Sequence, residues 1–299
     1  MAWENLTFNS DFILLGIFNH SPFHTFLLTL VLAIFAVAFV GNTAMVLLIY
    51  LDSKLHTPMY FLFNQYSLMD LMLVCTTIPK MEVNFLSSRK SISLAGCGTQ
   101  IFHYVFLLRA ECFLLAAMAY DRYACHFPAF KVPHAHNPET LCSHDGVIEV
   151  AVALSFSYCR SREIAHFFCD VPALLTLSCT DTKIFECIMF FCCVIMLLFP
   201  VAIIIASYTH VILAVTHMGS GEGCHKAFAT CSSDLMVVSM YYGATMFIYM
   251  WPTSEQFPTW DKMVSAFYTI LIPTLNPFIY SLRNRGVSRA FMKLVYKQS

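Results

Sequence analysis

A single carboxylate, Asp70, interrupts the otherwise uncharged run from Pro58 to Thr77. Burying an acid among apolar residues is costly, so its presence there argues for function. Asn42 and Asn276, each inside an uncharged run of its own, are its candidate polar partners. Asp121 and Arg122 close the run Cys97 to Tyr120 and are placed to form an ion pair; the plainer reading is an acid and a base marking a membrane boundary. Of 13 cysteines, most lie in apolar runs, where Cys packs as a small hydrophobe. Cys97, Cys159, Cys169 and Cys179 lie instead at the start of one apolar run and in the segment before another, and four cysteines allow three pairings. Cys125, His126, His134, His136, Cys142 and His144 carry metal-ligating groups, yet no two-Cys knuckle is present and the spacing fits no standard zinc signature. There is no phosphate loop, no H-E-x-x-H, no nucleophile elbow and no basic patch suited to nucleic acid. The chain is not expected to be an enzyme, and no metal, cofactor or nucleic-acid partner is implied.

The elements that must position these residues are membrane helices. The chain has 299 residues, 58% hydrophobic and 12% charged, a composition for a lipid surrounding rather than a soluble domain. A helical span needs about 20 predominantly apolar residues. Six runs qualify, at about 26–50, 58–77, 97–120, 187–214, 227–250 and 263–282. The tail after Leu282 carries Arg283, Arg285, Arg289, Lys293 and Lys297 with no acid, whereas the segment before Phe26 carries Glu4 and Asp11 with no base. Basic flanks stay cytoplasmic, so residues 1–25 are expected outside and 283–299 inside. The sequon Asn5-Leu6-Thr7 agrees, making Asn5 a candidate glycosylation site. No basic leader with a short apolar core precedes Phe26, so the first span is expected to serve as an uncleaved insertion signal.

An outside start and an inside end require an odd number of crossings, so the stretch between Tyr123 and Cys187 must supply a seventh. It is poorly suited. Ala124 to Gly146 holds four His, three Pro, Lys131, Glu139 and Asp145 and reads as a polar loop. The remaining candidate, 141–158, contains Asp145 and Glu149, and a central acid costs roughly 2.5 to 3.5 kcal/mol on insertion. The expected fold is therefore an all-α polytopic bundle filling residues 26–282, with six clean spans and a degenerate fourth.

Several ordered segments carry a family likeness: LHTPMYFL from Leu55, SLMD from Ser67, MAYDRY from Met118, HFFCDVP from His166, Ser207-Tyr208, KAFATCSS from Lys226 and PTLNPFIYSLRN from Pro273. Together they make the chain resemble an olfactory receptor, a branch of the rhodopsin-like G-protein-coupled receptors. The resemblance implies a plasma-membrane receptor with seven spans that binds small volatile odorants and signals through a stimulatory heterotrimeric G protein of the olfactory type. It implies that Asp121 and Arg122 hold a closed state broken on activation, that Asp70 and Asn276 belong to a water- and ion-filled network, and that Pro277 breaks a helix about which Tyr280 swings. It also implies that Cys97 ties the segment before the fifth span to the third, through Cys169 or Cys179, with Cys159 in a second bridge. His166, Cys169 and Asp170 could alternatively ligate copper, though a bridged Cys169 is no thiolate.

A pocket for such a ligand is expected to be apolar and aromatic with one or two polar groups. Tyr104, Val105, Leu108 and Cys112 share a face of the third span by helical spacing; Tyr242, Thr245, Met246 and Tyr249 share one of the sixth, and Tyr268 of the seventh closes the set. Ordinary interhelical packing is the competing reading of each. Arg109, near the third-span face, is expected to alter or block the pocket. The likeness breaks between Ala124 and His144, as in a frameshifted or misjoined stretch that shortens the chain, and Val150 to Tyr158 resembles outer loop. Asp234 stands where relatives commonly carry His. The alternative function is accordingly a degenerate, non-signalling, pseudogene-like product retained in the endoplasmic reticulum. A transporter or channel would require internal repeats, and the sequence has none.

Overall fold

A computed structural model of the chain describes residues 11–16, 24–86, 90–126, 138–159, 161–217, 235–248, 258–283 and 286–291. Its helices are α1 (His24–Leu51), α2 (Pro58–Leu86), α3 (Leu94–His126), α4 (Pro138–Ser155), the short α5 (Val171–Leu175), α6 (Lys183–His217), α7 (Leu235–Ile248), α8 (Pro258–Ala266) and α9 (Ile272–Arg283). A π-helical turn, Phe267–Leu271, joins α8 to α9. Among the described residues five helices are long and apolar enough to cross a membrane: Thr25–Leu51, Pro58–Asn84, Leu94–Asp121, Lys183–Leu213 and Trp260–Tyr280. The shortest of these, 21 residues, spans about 31 Å at 1.5 Å per residue, matching the ~30 Å hydrocarbon core. The sixth expected span, 227–250, is described only over Leu235–Ile248.

Burial orders the bundle. In the most apolar window of α3, 67% of residues are buried, against 28% for α1 and 22% for α6, so α3 runs through the centre and the other two face lipid. Accordingly α3 packs on α2, α4 and α6, while α1 packs on α2 and α9. The lipid-facing helices are apolar on all sides, as a bilayer requires.

The region expected to be a polar loop is helical from Pro138 onward, and α3 continues to His126, so the loop reading of 124–146 is corrected at both ends. Proline suits a first helical turn because that turn needs no N–H from it. Likewise Val150 to Ser155, expected as outer loop, is helix. Two features support α4 against α3. Gly98 and Gly146 leave room for close approach: a Cβ on Gly98 would lie 2.7 Å from Leu154 Cδ1, and one on Gly146 would lie 3.3 Å from Phe102 Cδ2. Glu149, the acid that argued against insertion, is buried and ion-paired with Arg109 of α3. The apolar part of α4, Gly146–Ser155, is nonetheless only ten residues, about 15 Å, roughly half a span.

Nothing in the residue pattern announced the small sheet at one end of the bundle. Strand β1 (Phe12–Leu14) lies between β2 (Ser91–Ile92), antiparallel, and β3 (Glu163–Ile164), parallel. Phe12 and Leu14 alternate inward and are buried, and Phe12 meets Tyr158 edge-on at 5.5 Å. Two disulfides fasten the same end. Cys97 is joined to Cys169 (Cα–Cα 5.4 Å) and Cys159 to Cys179 (5.8 Å), which is one of the three pairings left open by counting. Disulfides belong to an oxidising compartment, which makes this the outer end of the bundle.

Candidate functional site

The disulfide-fastened segment forms a lid whose inner face is HFFCD, His166 to Asp170, all five buried. Gln100 on α3 positions it: its side chain accepts from the Cys169 N–H at 2.9 Å and donates to the Thr76 carbonyl at 3.1 Å, linking lid, α3 and α2. Asp170 caps α5 by accepting from the Val171 N–H at 3.0 Å. Burial, then the nearby acids Asp261 and Glu149, pushes the Asp170 carboxyl up to about 8, against the opposing pull of the capping bond. Burial, then the charge of Lys262, pushes His166 down to about 3, so the imidazole is neutral at physiological pH.

Beneath the lid, four aromatic rings meet. Tyr104 of α3 contacts Phe168 of the lid at 4.8 Å and Tyr268 of the π turn at 6.1 Å, and Tyr268 contacts Tyr241 of α7 at 5.5 Å. Edge-on and tilted geometries predominate, as ring quadrupoles prefer. The three tyrosine hydroxyls whose bonds are defined all bond to α3. Tyr268 Oη donates to Glu111 Oε2 on α3 at 2.8 Å. Tyr241 Oη donates to the Leu108 carbonyl and lies 3.1 Å from Cys112 Sγ. Tyr242 Oη donates to the Cys112 carbonyl at a long 3.4 Å. Thr245 returns its hydroxyl to the Tyr241 carbonyl at 2.8 Å, one helical turn back.

The expected residues therefore occupy one neighbourhood in part. Tyr104, Val105, Leu108, Cys112, Tyr242, Thr245 and Tyr268 are buried and Met246 is half-buried. Tyr249 lies outside the described residues, as do Asn5, Asp234, His134 and His136 and the side chains of Arg122, Cys125, His126, Cys142 and His144. Two principal members went unnamed in advance: Tyr241, which adjoins Tyr242 and stands four residues before Thr245, and Phe168, inside a segment singled out for its cysteine. Arg109 does not take the place expected of it. Its guanidinium engages Glu149 on α4, so its charge is spent between helices rather than among the tyrosines.

Deeper in the bundle, Asn276 Nδ2 donates to Asp70 Oδ2 at 2.9 Å. Asn42 instead donates to the carbonyls of Pro273 (2.8 Å) and Ala38 (3.0 Å), tying α1 to α9 one turn from that pair. Asp70 Oδ1 and Glu111 Oε1 are buried without a hydrogen-bond partner among the described residues, an arrangement open to water or a hydrated cation. Pro277 lies inside the continuous helix α9, where it can donate no backbone hydrogen bond, and a Cβ on Gly41 of α1 would stand 3.3 Å from its ring, so α1 and α9 touch there. Tyr280 follows, buried against Phe63 at 4.5 Å and edge-on to Tyr66 at 6.2 Å. Asp121 is half-buried at the other end of α3.

A buried aromatic cluster thus lies under the lid, with a buried Asp70–Asn276 pair deeper in the bundle and a proline inside α9. A family profile described as olfactory receptor matches residues 31–298. Human (Homo sapiens) olfactory receptor 2M3 is 66% identical over 307 aligned positions, covering 99% of this chain and 98% of the relative. Human olfactory receptor 2M4 is 63% identical over 310 positions, covering 100% and 99%. Mouse (Mus musculus) olfactory receptor 2V1 is 51% identical over 301, covering 97% and 96%. Since 307 and 310 exceed the 299 residues present, these alignments open gaps in this chain. They run nearly end to end, and nothing in them favours the alternative of a degenerate product.

Proposed function

This chain belongs to the olfactory receptor family, and we propose that its ligand is held among Tyr104, Val105, Leu108, Cys112, Tyr242, Thr245, Met246, Tyr249 and Tyr268, with Tyr241 and Phe168 added to that set. The protein is a multi-pass membrane receptor, a seven-transmembrane bundle that binds odorants and signals through a heterotrimeric G protein; it is not an enzyme. What carries the assignment of the site is the meeting of Tyr104, Tyr241 and Tyr268 from three different elements beneath Phe168. Apolar and aromatic walls with few polar groups suit a small volatile molecule. The hydroxyl bonds to Glu111 and Leu108 give the site two directed interactions that a ligand's hydroxyl, carbonyl or thiol can exchange with.

The G protein is of the stimulatory olfactory type in this reading. Ligand binding shifts the population toward an open inner face: the Asp121–Arg122 pair separates, Arg122 engages the G protein, and α9 rearranges about Pro277, carrying Tyr280 off Phe63 and Tyr66. Asp70, Asn276 and Glu111 form the polar network that this movement remakes, with water and a cation filling it in the resting state.

The experiment is a cell reporter for cAMP with the stimulatory olfactory G protein supplied, the chain carrying an N-terminal tag, and surface staining as the control for delivery. A saturable response to members of an odorant panel, shifted by Tyr104→Ala and Tyr268→Phe at equal surface staining, is the expected result. Responses indifferent to both substitutions would move the ligand elsewhere in the bundle. Responses seen only with an inhibitory G protein would refute the coupling.

A further inference from the structure

Away from the tyrosine cluster, on the membrane-facing side of the bundle, α1 and the α8–π segment leave a half-enclosed groove of about 400 Å³. That is within the roughly 300–1,000 Å³ typical of small-molecule sites. Leu27, Val31 and Ile34 line it from α1, at the spacing of one helical face, and Phe267 and Ile270 line it from the π turn. Those α1 positions extend about 10 Å along the helix. The lining contains one charged residue, Lys262, at the outer end of the groove and two residues after Trp260, which is 61% exposed, as an interfacial Trp is.

We infer that this groove is a second site, separate from the odorant pocket, and that it binds a single-chain amphiphile with a carboxylate head, a membrane-resident fatty acid. The argument is charge complementarity along an amphipathic slot. An ammonium has three donors, and Lys262 Nζ gives one to the Gly16 carbonyl at 3.2 Å, which fixes its position under the strand β1 while leaving donor capacity toward the slot. Asp261 is not among the residues lining the groove, although its charge acts on Lys262 as well as on the carboxyl of Asp170 in the lid. A two-chain zwitterion presents a bulkier head and no net negative charge to a single cation. The π turn widens the helix at the groove floor, a local irregularity frequent at functional sites. Phe267 and Ile270 face the groove while Tyr268, between them, holds Glu111 inside, so an acyl chain here would rest on the outer wall of the odorant site.

The test uses the full chain in phosphatidylcholine nanodiscs with a stearate analogue bearing a mid-chain diazirine, adducts being mapped by mass spectrometry. Adducts concentrated on the α1 and α8 peptides and displaced by excess stearate are expected. Lys262→Gln should weaken that labelling roughly tenfold, the loss of one charge-assisted bond. Lys54→Gln, at the other end of α1, should leave it unchanged. Ala266→Phe, which fills the groove with Lys262 intact, should also abolish it and guards against a Lys262 variant that merely misfolds. Labelling insensitive to both groove substitutions, or spread equally over lipid-facing α6, would overturn the site. A phosphatidylcholine probe labelling the same peptides with the same dependence on Lys262 would overturn the carboxylate assignment.

Discussion

Arg109 of α3 donates through Nη2 to Oε1 of Glu149 on α4, joining inside the bundle two charges that would each be prohibitive there alone. Both side chains are almost wholly buried. Removing one partner leaves an uncompensated ion, so Arg109→Leu or Glu149→Leu should each cost about 3–5 kcal/mol of stability, whereas the double substitution should be close to neutral or even stabilising. Thermal unfolding of the detergent-solubilised receptor, arranged as a double-mutant cycle, measures this. Additive losses in the double variant would mean the pair does not hold α4 to α3.

Tyr268 donates a second buried hydrogen bond, to Glu111 of α3, beneath the lid. Tyr268→Phe keeps the ring edge-on to Tyr104 and Tyr241 but strips a buried carboxyl oxygen of its donor, a loss of about 1–3 kcal/mol. Glu111→Gln retains an acceptor for the hydroxyl and should cost less. In the Glu111→Gln background the added cost of Tyr268→Phe should shrink, and equal costs in both backgrounds would show that the bond is not what makes Tyr268 matter.

Tyr241 and Tyr242 are neighbours with unequal bonds. Tyr241 reaches both the Leu108 carbonyl and Cys112 Sγ, while the Tyr242 bond is long at 3.4 Å. Hydrogen bonds weaken with distance, so Tyr241→Phe should destabilise by about 1–2 kcal/mol and Tyr242→Phe by less than about 0.5 kcal/mol. Comparing their unfolding midpoints in one detergent distinguishes them; the reverse order would contradict the assigned roles.

What could be read in advance followed from composition and local order. Uncharged runs locate the long helices because lipid admits little else, and Asp70 with Asn276 was legible because each is a polar residue where polar residues are costly. The pairing of Arg109 with Glu149 was not, since in the sequence each is an isolated charge and their meeting depends on α4 packing across α3, 40 residues away. The same blindness made α4 look like loop: Glu149 counts as a barrier to insertion only while unpaired. Tyr241 is not separable from Tyr242 in the sequence, because helical spacing without a fixed starting phase does not say which of two adjacent tyrosines turns inward. The three-stranded sheet has strands of two and three residues, too short for alternation to register.

Asp170 gives the lid a pH dependence of defined sign. Its carboxyl, ordinarily near 3.8, is pushed up to about 8 in the folded lid, so between those values the folded state holds a proton that the unfolded state has lost. Stability contributed by this group is therefore complete below pH 3.8 and declines as pH rises toward 8. His166 acts oppositely: lowered from 6.5 to about 3, it makes the folded lid lose stability as pH falls below 6.5, because only the unfolded state gains the proton. Asp170→Asn keeps an N-cap acceptor for the Val171 N–H and abolishes the ionisation. It should match the wild type at acid pH and exceed it near pH 8 by on the order of 1 kcal/mol or more, each pKa unit being worth about 1.4 kcal/mol. The unfolding midpoint of the variant should then keep only the acid-side loss due to His166. A variant whose midpoint still falls between neutral pH and pH 8 as steeply as the wild type would assign the alkaline loss to some other group.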